Sequence, residues 1–181
     1  NSTTETFVAI KAEIANWRWS GTPFYIRTGK RMAGKATNIV IHFKADAHFI
    51  FDQDQKSSTG NSLIISLHPT EGISLQVFTK RHGVNEGMRL RSDPMSLDFI
   101  KSQKLLKIPS GYQRLLSNIL LGKQRLFLCK EEIELAWEWC DNAYESWQKS
   151  LQPLYSYPVG SNGPNESKDL LQQNGHNWHD E

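Results

Sequence analysis

From Ile14 to Ala45 the sequence contains no aspartate and no glutamate, yet Arg27, Lys30, Arg31 and Lys35 fall within nine residues of one another. This positive charge has no carboxylate near it in sequence, so it looks outward for an anion. The stretch that carries it, PFYIRTGKRMAGK (Pro23–Lys35), begins as a short apolar strand and enters a turn at Gly29. A glycine there lets the backbone come close to a bound group. Lysine is a compact point charge suited to phosphate. The stretch reads as a phosphate-holding loop at the end of a strand.

The other absences narrow the field. With 21 basic and 19 acidic residues among 181, the net charge is only +2. A nucleic-acid-binding domain carries a much stronger basic excess, so the cluster at Arg27–Lys35 is a local feature and no nucleic acid is expected as a partner. No apolar run approaches the roughly 18–20 residues of a membrane span. Asn1–Glu5 has neither the cationic nor the apolar segment of a signal peptide. There are only two cysteines, Cys129 and Cys140, on or beside one predicted helix. Helical spacing would hold their Cα atoms roughly 16 Å apart, against about 6 Å in a disulfide. They read as reduced core or near-core thiols, which with the missing signal favours the cytoplasm. No internal repeat is present, and no Gly-rich dinucleotide turn follows any strand.

What is present is a sheet followed by helices. Residues Thr4 to Trp19 read as a helix, because Phe7, Ile10, Ile14 and Trp17 share one helical face. Gly21 and Pro23 end it. Strand alternation then covers Phe24–Arg27, Ile39–Lys44, Leu63–His68 and Ile73–Lys80. Pro69–Gly72 is a turn that joins the last two into a hairpin. Met88–Arg91 and Ser96–Ile100 are candidate further strands, and Asp52–Asn61 reads as a polar loop. Short connections without helical crossovers imply an antiparallel sheet. Tyr112–Leu121 and Glu131–Lys149 read as helices. The second carries Ile133, Trp137, Cys140, Tyr144 and Trp147 on one stripe, expected to pack, with Glu131 and Glu132 in its first turn and Lys149 in its last, as the helix dipole prefers. The tail after Pro153 is rich in Pro, Gly, Ser and Asn. Tyr155, Tyr157 and Trp178 argue that it docks across the surface, with a short helix near Glu166–Gln173. The expected fold is α+β: one domain over residues 1–181, with a large, predominantly antiparallel sheet, helices on one face and an extended C-terminal tail.

Five blocks of the sequence resemble the glucose-6-phosphate dehydrogenase family in the correct order. They are TETFVAIKAEIANWRWSGTPFYIRTGKRM (Thr4–Met32), LIISLHPTEGISLQV (Leu63–Val77), YQRLLSNILLGKQRLF (Tyr112–Phe127), EEIELAWEWCD (Glu131–Asp141) and YPVGSNGP (Tyr157–Pro164). The resemblance covers nearly the whole chain, to Trp178, and points to the bacterial type of that family's C-terminal domain. It implies an oxidoreductase that converts glucose 6-phosphate to 6-phosphogluconolactone with NADP, in the pentose phosphate pathway. The family's N-terminal dinucleotide-binding domain and its catalytic histidine motif are not in this sequence. The chain is therefore expected to work with its own N-terminal domain, to contribute no catalytic residue and to be inactive alone.

The resemblance also implies residue roles. Lys30 matches a lysine near the sugar phosphate and the coenzyme, and Lys35 a second cation on the phosphate. His68 stands where many relatives have glutamine near the sugar, and a neutral imidazole can still hydrogen-bond a hydroxyl there. Arg27 is placed with Lys30 on the cofactor side, chiefly in support. Ala36, Val40, Ser66, Ser74 and Gln76 occupy positions where mammalian-type relatives hold a second, structural NADP. None is cationic or aromatic, so no second NADP is expected. The family also implies a homodimer through the sheet. No metal is expected: His176 and His179 could supply two ligands, whereas zinc needs three or four with supporting contacts. His42 is expected on the exposed polar face. The alternative to an enzyme is a non-catalytic sugar-phosphate-binding or assembly module of the same fold. Keeping both Lys30 and Lys35 favours the enzyme.

Overall fold

The computed structural model describes residues 2, 4–44, 60–80, 90–98, 110–150 and 153–179. They group into two compact units, one of Asn1–Lys104 with Tyr155–Glu181 and one of Leu105–Leu154.

Among the described residues the first unit holds six strands: β1 (Phe7–Glu13), β2 (Pro23–Gly29), β3 (Thr37–His42), β4 (Ser62–His68), β5 (Gly72–Lys80) and β6 (Leu90–Asp98). Among the described residues all strand pairing is antiparallel, as expected. The strands form two sheets, β1-β2 and β3-β4-β5-β6, where one large sheet was expected. The class is α+β, as the sequence implies.

The segment at Thr4–Trp19 is not a helix. Phe7–Glu13 is a strand that pairs with β2 along its whole length, from Phe7 opposite Gly29 to Glu13 opposite Pro23. Phe7, Val8 and Ile10 suit a strand as well as a helical face, and the ladder partner decided between them. The supposed helical stripe is not buried as a unit, for Trp17 is 90% exposed. Asn16 turns the chain instead. Its side-chain oxygen accepts from the Arg18 and Trp19 amides at 3.1 and 2.8 Å, the local bond that makes asparagine a turn residue.

In the larger sheet, β4 and β5 form the hairpin expected at Pro69–Gly72. β6 is one continuous strand where two short ones were expected. Pro94 lies within it, and β6 ends the strand order, where a missing backbone donor is tolerated. Met88, Phe99 and Ile100 lie outside the described residues, as does Asp52–Thr59 of the expected polar loop. The two faces of this sheet differ. The face that carries Ser62 and Ile64 is covered at its centre, with Ile64 only 6% exposed, whereas His42 at its end is exposed, as the sequence implies. Opposite it, Ile41, Leu63, Leu75 and Met95 line up across the four strands. On that side Met95 and Leu97 are 62% and 53% exposed.

The second unit holds α1 (Gly111–Leu120) and α2 (Lys130–Lys149). Ser110 and Gln113 cap the start of α1 reciprocally. Before α2 the Cys129 amide donates to the Glu132 carboxylate at 2.9 Å. That bond holds the Glu132 carboxyl below the ordinary carboxylate range. Two sequence expectations fail here. Both cysteines are free thiols at the surface rather than in a core. The stripe Ile133, Trp137, Cys140, Tyr144 and Trp147 is exposed, not packed. The two helices described in this unit offer too little apolar surface to bury it.

Candidate anion-binding site

The backbone of β1 and β2 creates the site's platform. In their register Phe7, Ala9 and Lys11 share a face with Tyr25, Arg27 and Gly29. The C-terminal tail lies along this face, and α3 (Glu166–Gln172) packs beside β1. The Tyr157 ring meets Phe7 at 5.5 Å between centroids. The Tyr25 hydroxyl pairs with His176 Nδ1 at 3.0 Å. The Trp178 indole donates to the Ser167 carbonyl at 2.9 Å. Docking of the tail through Tyr157 and Trp178, expected from composition, is what the structure shows, whereas Tyr155 is exposed.

Arg27 points into this tail contact. Its guanidinium lies 4.7 Å over the Trp178 ring, and Nη2 donates to the His179 carbonyl at 3.2 Å. That pairing of cation and ring face is worth about 0.5–2 kcal/mol, depending on desolvation.

Lys30 begins the loop that leaves β2. Its amide donates to the Thr6 carbonyl at 2.8 Å, and its own carbonyl lies 2.8 Å from the Tyr157 hydroxyl. Arg31 follows in the left-handed region at φ 52. Its carbonyl accepts from the Gly160 amide at 2.9 Å, and the Ala33 amide donates to the Ser161 carbonyl at 3.0 Å. Lys35 closes the loop just before β3. Its carbonyl meets His68 Nδ1 at 3.1 Å, beside an irregularity in the β3–β4 register between Thr37 and Asn38. A carbonyl can only accept, so Nδ1 carries the proton and Nε2 of the neutral ring is left as an acceptor. The fold thus brings Lys35 and His68 together, holds Lys30 between β1 and the tail, and turns Arg27 towards the tail.

Both lysines are exposed, and among the described residues neither ammonium pairs with a carboxylate. Two cations on one fixed loop can bind and orient an anion. Gly29 serves a different purpose from the one its sequence position suggested. A Cβ there would lie 2.8 Å from the Phe7 ring and 2.9 Å from Met32 Sδ, so its bare Cα makes room for packing.

His42, at the end of β3, sits near His176 and His179. The residue is exposed, yet partial desolvation of its ring, then those two rings, push its pKa below the ordinary imidazole value. Among the described residues no group of three or more histidine, cysteine or carboxylate side chains is arranged to hold a metal. The residues that sequence reasoning missed are Tyr157, Gly160 and Ser161 as partners of the Lys30 loop. The block YPVGSNGP contained them, without a sign of what they would hold.

The profile of the family described as "Glucose-6-phosphate dehydrogenase, C-terminal domain" matches residues 1–179. Glucose-6-phosphate 1-dehydrogenase of Rhizobium meliloti is 44% identical over 99% of this chain and 36% of its own length. That of Mycolicibacterium smegmatis is 40% identical over the same shares. Among solved structures, a glucose-6-phosphate dehydrogenase described as in complex with its substrate glucose-6-phosphate superposes with a TM-score of 0.82, at 27% identity over 97% of this chain and 35% of its own. Glucose-6-phosphate 1-dehydrogenase from Mycobacterium avium gives a TM-score of 0.76, at 26% identity over 99% and 36%. The chain spans about a third of the length of the relatives it matches.

Proposed function

Because the chain belongs to the glucose-6-phosphate dehydrogenase C-terminal domain family, we propose that it is the C-terminal part of an enzyme that oxidises glucose 6-phosphate at C1. The products are 6-phosphogluconolactone and NADPH. The observation that carries this reading is the Lys30–Lys35 loop: two exposed ammonium groups without carboxylate partners among the described residues, on backbone held at both ends. Lys30 and Lys35 hold the sugar phosphate. His68, its Nδ1 committed to the Lys35 carbonyl, offers Nε2 to a sugar hydroxyl. Each charge-assisted contact to phosphate contributes about 1.5–3 kcal/mol. Such contacts bind and aim the substrate. The proton acceptor and the coenzyme fold belong to the part of the protein outside this chain.

The coenzyme supplies the hydride acceptor when bound. Lys30, exposed and without a carboxylate partner among the described residues, suits one of its phosphates as well as the sugar's. Arg27 supports the site from behind, by anchoring the tail through Trp178 and the His179 carbonyl. A second coenzyme does not fit the residues expected for it. Val40, Ser66, Ser74 and Gln76 share one face of the larger sheet and carry no charge. We further propose that two copies associate through this sheet. Its opposite face exposes Ile41, Ile73, Met95 and Leu97 together, and a contiguous exposed apolar patch marks an interface.

The test is Lys30→Ala in the full-length enzyme, followed by NADPH absorbance. Loss of one charged contact raises KM for glucose 6-phosphate by about 10- to 100-fold. kcat falls as well, because the phosphate orients the distant reacting carbon. Unchanged KM and kcat would refute the assignment.

A further inference from the structure

We propose that Tyr157 positions Lys30, so that the C-terminal tail is a working part of the anion site. The proposal rests on Lys30 contacting the sugar phosphate. Its ground is the allocation of one proton. The Tyr157 hydroxyl lies 2.8 Å from the Lys30 carbonyl, 3.0 Å from the Thr6 carbonyl and 3.2 Å from Thr6 Oγ1. A phenol has a single proton to donate. The Thr6 carbonyl already accepts from the Lys30 amide at 2.8 Å. The Lys30 carbonyl has no other donor among the described residues. The phenol proton therefore goes to the Lys30 carbonyl, and the Thr6 hydroxyl donates back to the phenol oxygen. Every donor in this set then has one acceptor, and Lys30 is gripped at both its amide and its carbonyl.

The residues on either side repeat the pattern. Gly160 holds the Arg31 carbonyl, and Ser161 holds the Ala33 amide. Arg31 at φ 52 occupies a region that a non-glycine residue keeps only when its surroundings over-determine it. The tail supplies those surroundings. The Tyr157 ring rests on Phe7, so packing fixes the ring that aims the hydroxyl, and the ring's position survives the loss of the oxygen.

The experiment is Tyr157→Phe in the full-length enzyme, alone and combined with Lys30→Ala. The variant keeps the ring and removes only the hydroxyl. It raises KM for glucose 6-phosphate about three- to tenfold, the range for losing one such bond, with a smaller fall in kcat. Oxidation of unphosphorylated glucose is unchanged, because the lost geometry serves only the phosphate. In the Lys30→Ala background Tyr157→Phe adds nothing. An unchanged KM for Tyr157→Phe while Lys30→Ala is impaired overturns the positioning role alone. So does an equal loss in the double variant, or the same loss with free glucose. Lys30→Ala with unchanged KM overturns the phosphate assignment itself, and the positioning role with it.

Discussion

Replacing Gly163 by alanine tests whether the tail is seated on the β1-β2 platform as described. Gly163 has φ +103, and an added Cβ would lie 2.3 Å from Phe7 Cε2 and 2.6 Å from Cζ. Two costs combine. The backbone of an L-residue at positive φ is strained by about 1–2 kcal/mol. Overpacking against a ring that cannot retreat costs about 1–3 kcal/mol. The Phe7 ring is also packed against Gly29, where a Cβ would come within 2.8 Å of its Cδ2. The sum, about 2–5 kcal/mol, centres near a hundredfold or more in the opening equilibrium of the tail. The natural control is Gly160→Ala, where φ is +81 but nothing lies within 4 Å of the added carbon. It bears only the backbone cost, roughly a tenfold effect. Gly29→Ala is the complementary control, since its φ is outside the strained region and only the overlap with Phe7 and Met32 applies. Amide hydrogen exchange on the full-length protein reads this directly. Protection of the Lys30, Ala33 and Gly160 amides, which bond between loop, β1 and tail, falls most in Gly163→Ala and least in Gly160→Ala. Equal, mild losses in those two variants would show that Phe7 is not lodged beneath Gly163 and would refute the docking geometry.

Two further outcomes follow from the same structure. Leu97→Lys places a charge in the exposed apolar face beside Ile73 and shifts the full-length protein towards a smaller assembly in light scattering, whereas an unchanged mass refutes the proposed association through that face. The pKa of His42 is lowered in the fold by partial desolvation first, then by His179 and His176. The unfolded chain therefore binds a proton that the fold resists, so stability is present above the unfolded imidazole pKa of about 6.5 and declines as pH falls below it. Thermal midpoints measured through that window should fall less steeply in His42→Gln, and an identical slope in both proteins would exclude His42 as the cause.

Local pattern carried much of the larger sheet. Alternation at Ile39–Phe43, Leu63–Leu67 and Ile73–Val77 marked three strands, because one face of each is apolar and side chains in a strand alternate between faces. The acidic first turn at Glu131–Glu132 marked the start of α2 for an equally local reason. At β1 the residues Phe7, Ile10, Ile14 and Trp17 satisfy a helical period, and only the ladder with Pro23–Gly29 makes the segment a strand. Within β6, Pro94 interrupts the strand pattern locally, and only the place of β6 at the end of the strand order makes a proline acceptable there. The exposure of Cys129, Cys140 and the α2 stripe depends on how little surface surrounds them, which no periodicity encodes.

For the site, the amino-acid order alone established which side chains are charged, that no acid stands near them in the chain, and which family they belong to, since these are properties of composition and sequence. It could not reveal what holds the loop. Lys30 and Tyr157 are 127 positions apart, and Gly160 and Ser161 are as remote from Arg31 and Ala33. Hydrogen bonds depend on distance in space, and only the folded path of the tail brings these groups within 3 Å of one another.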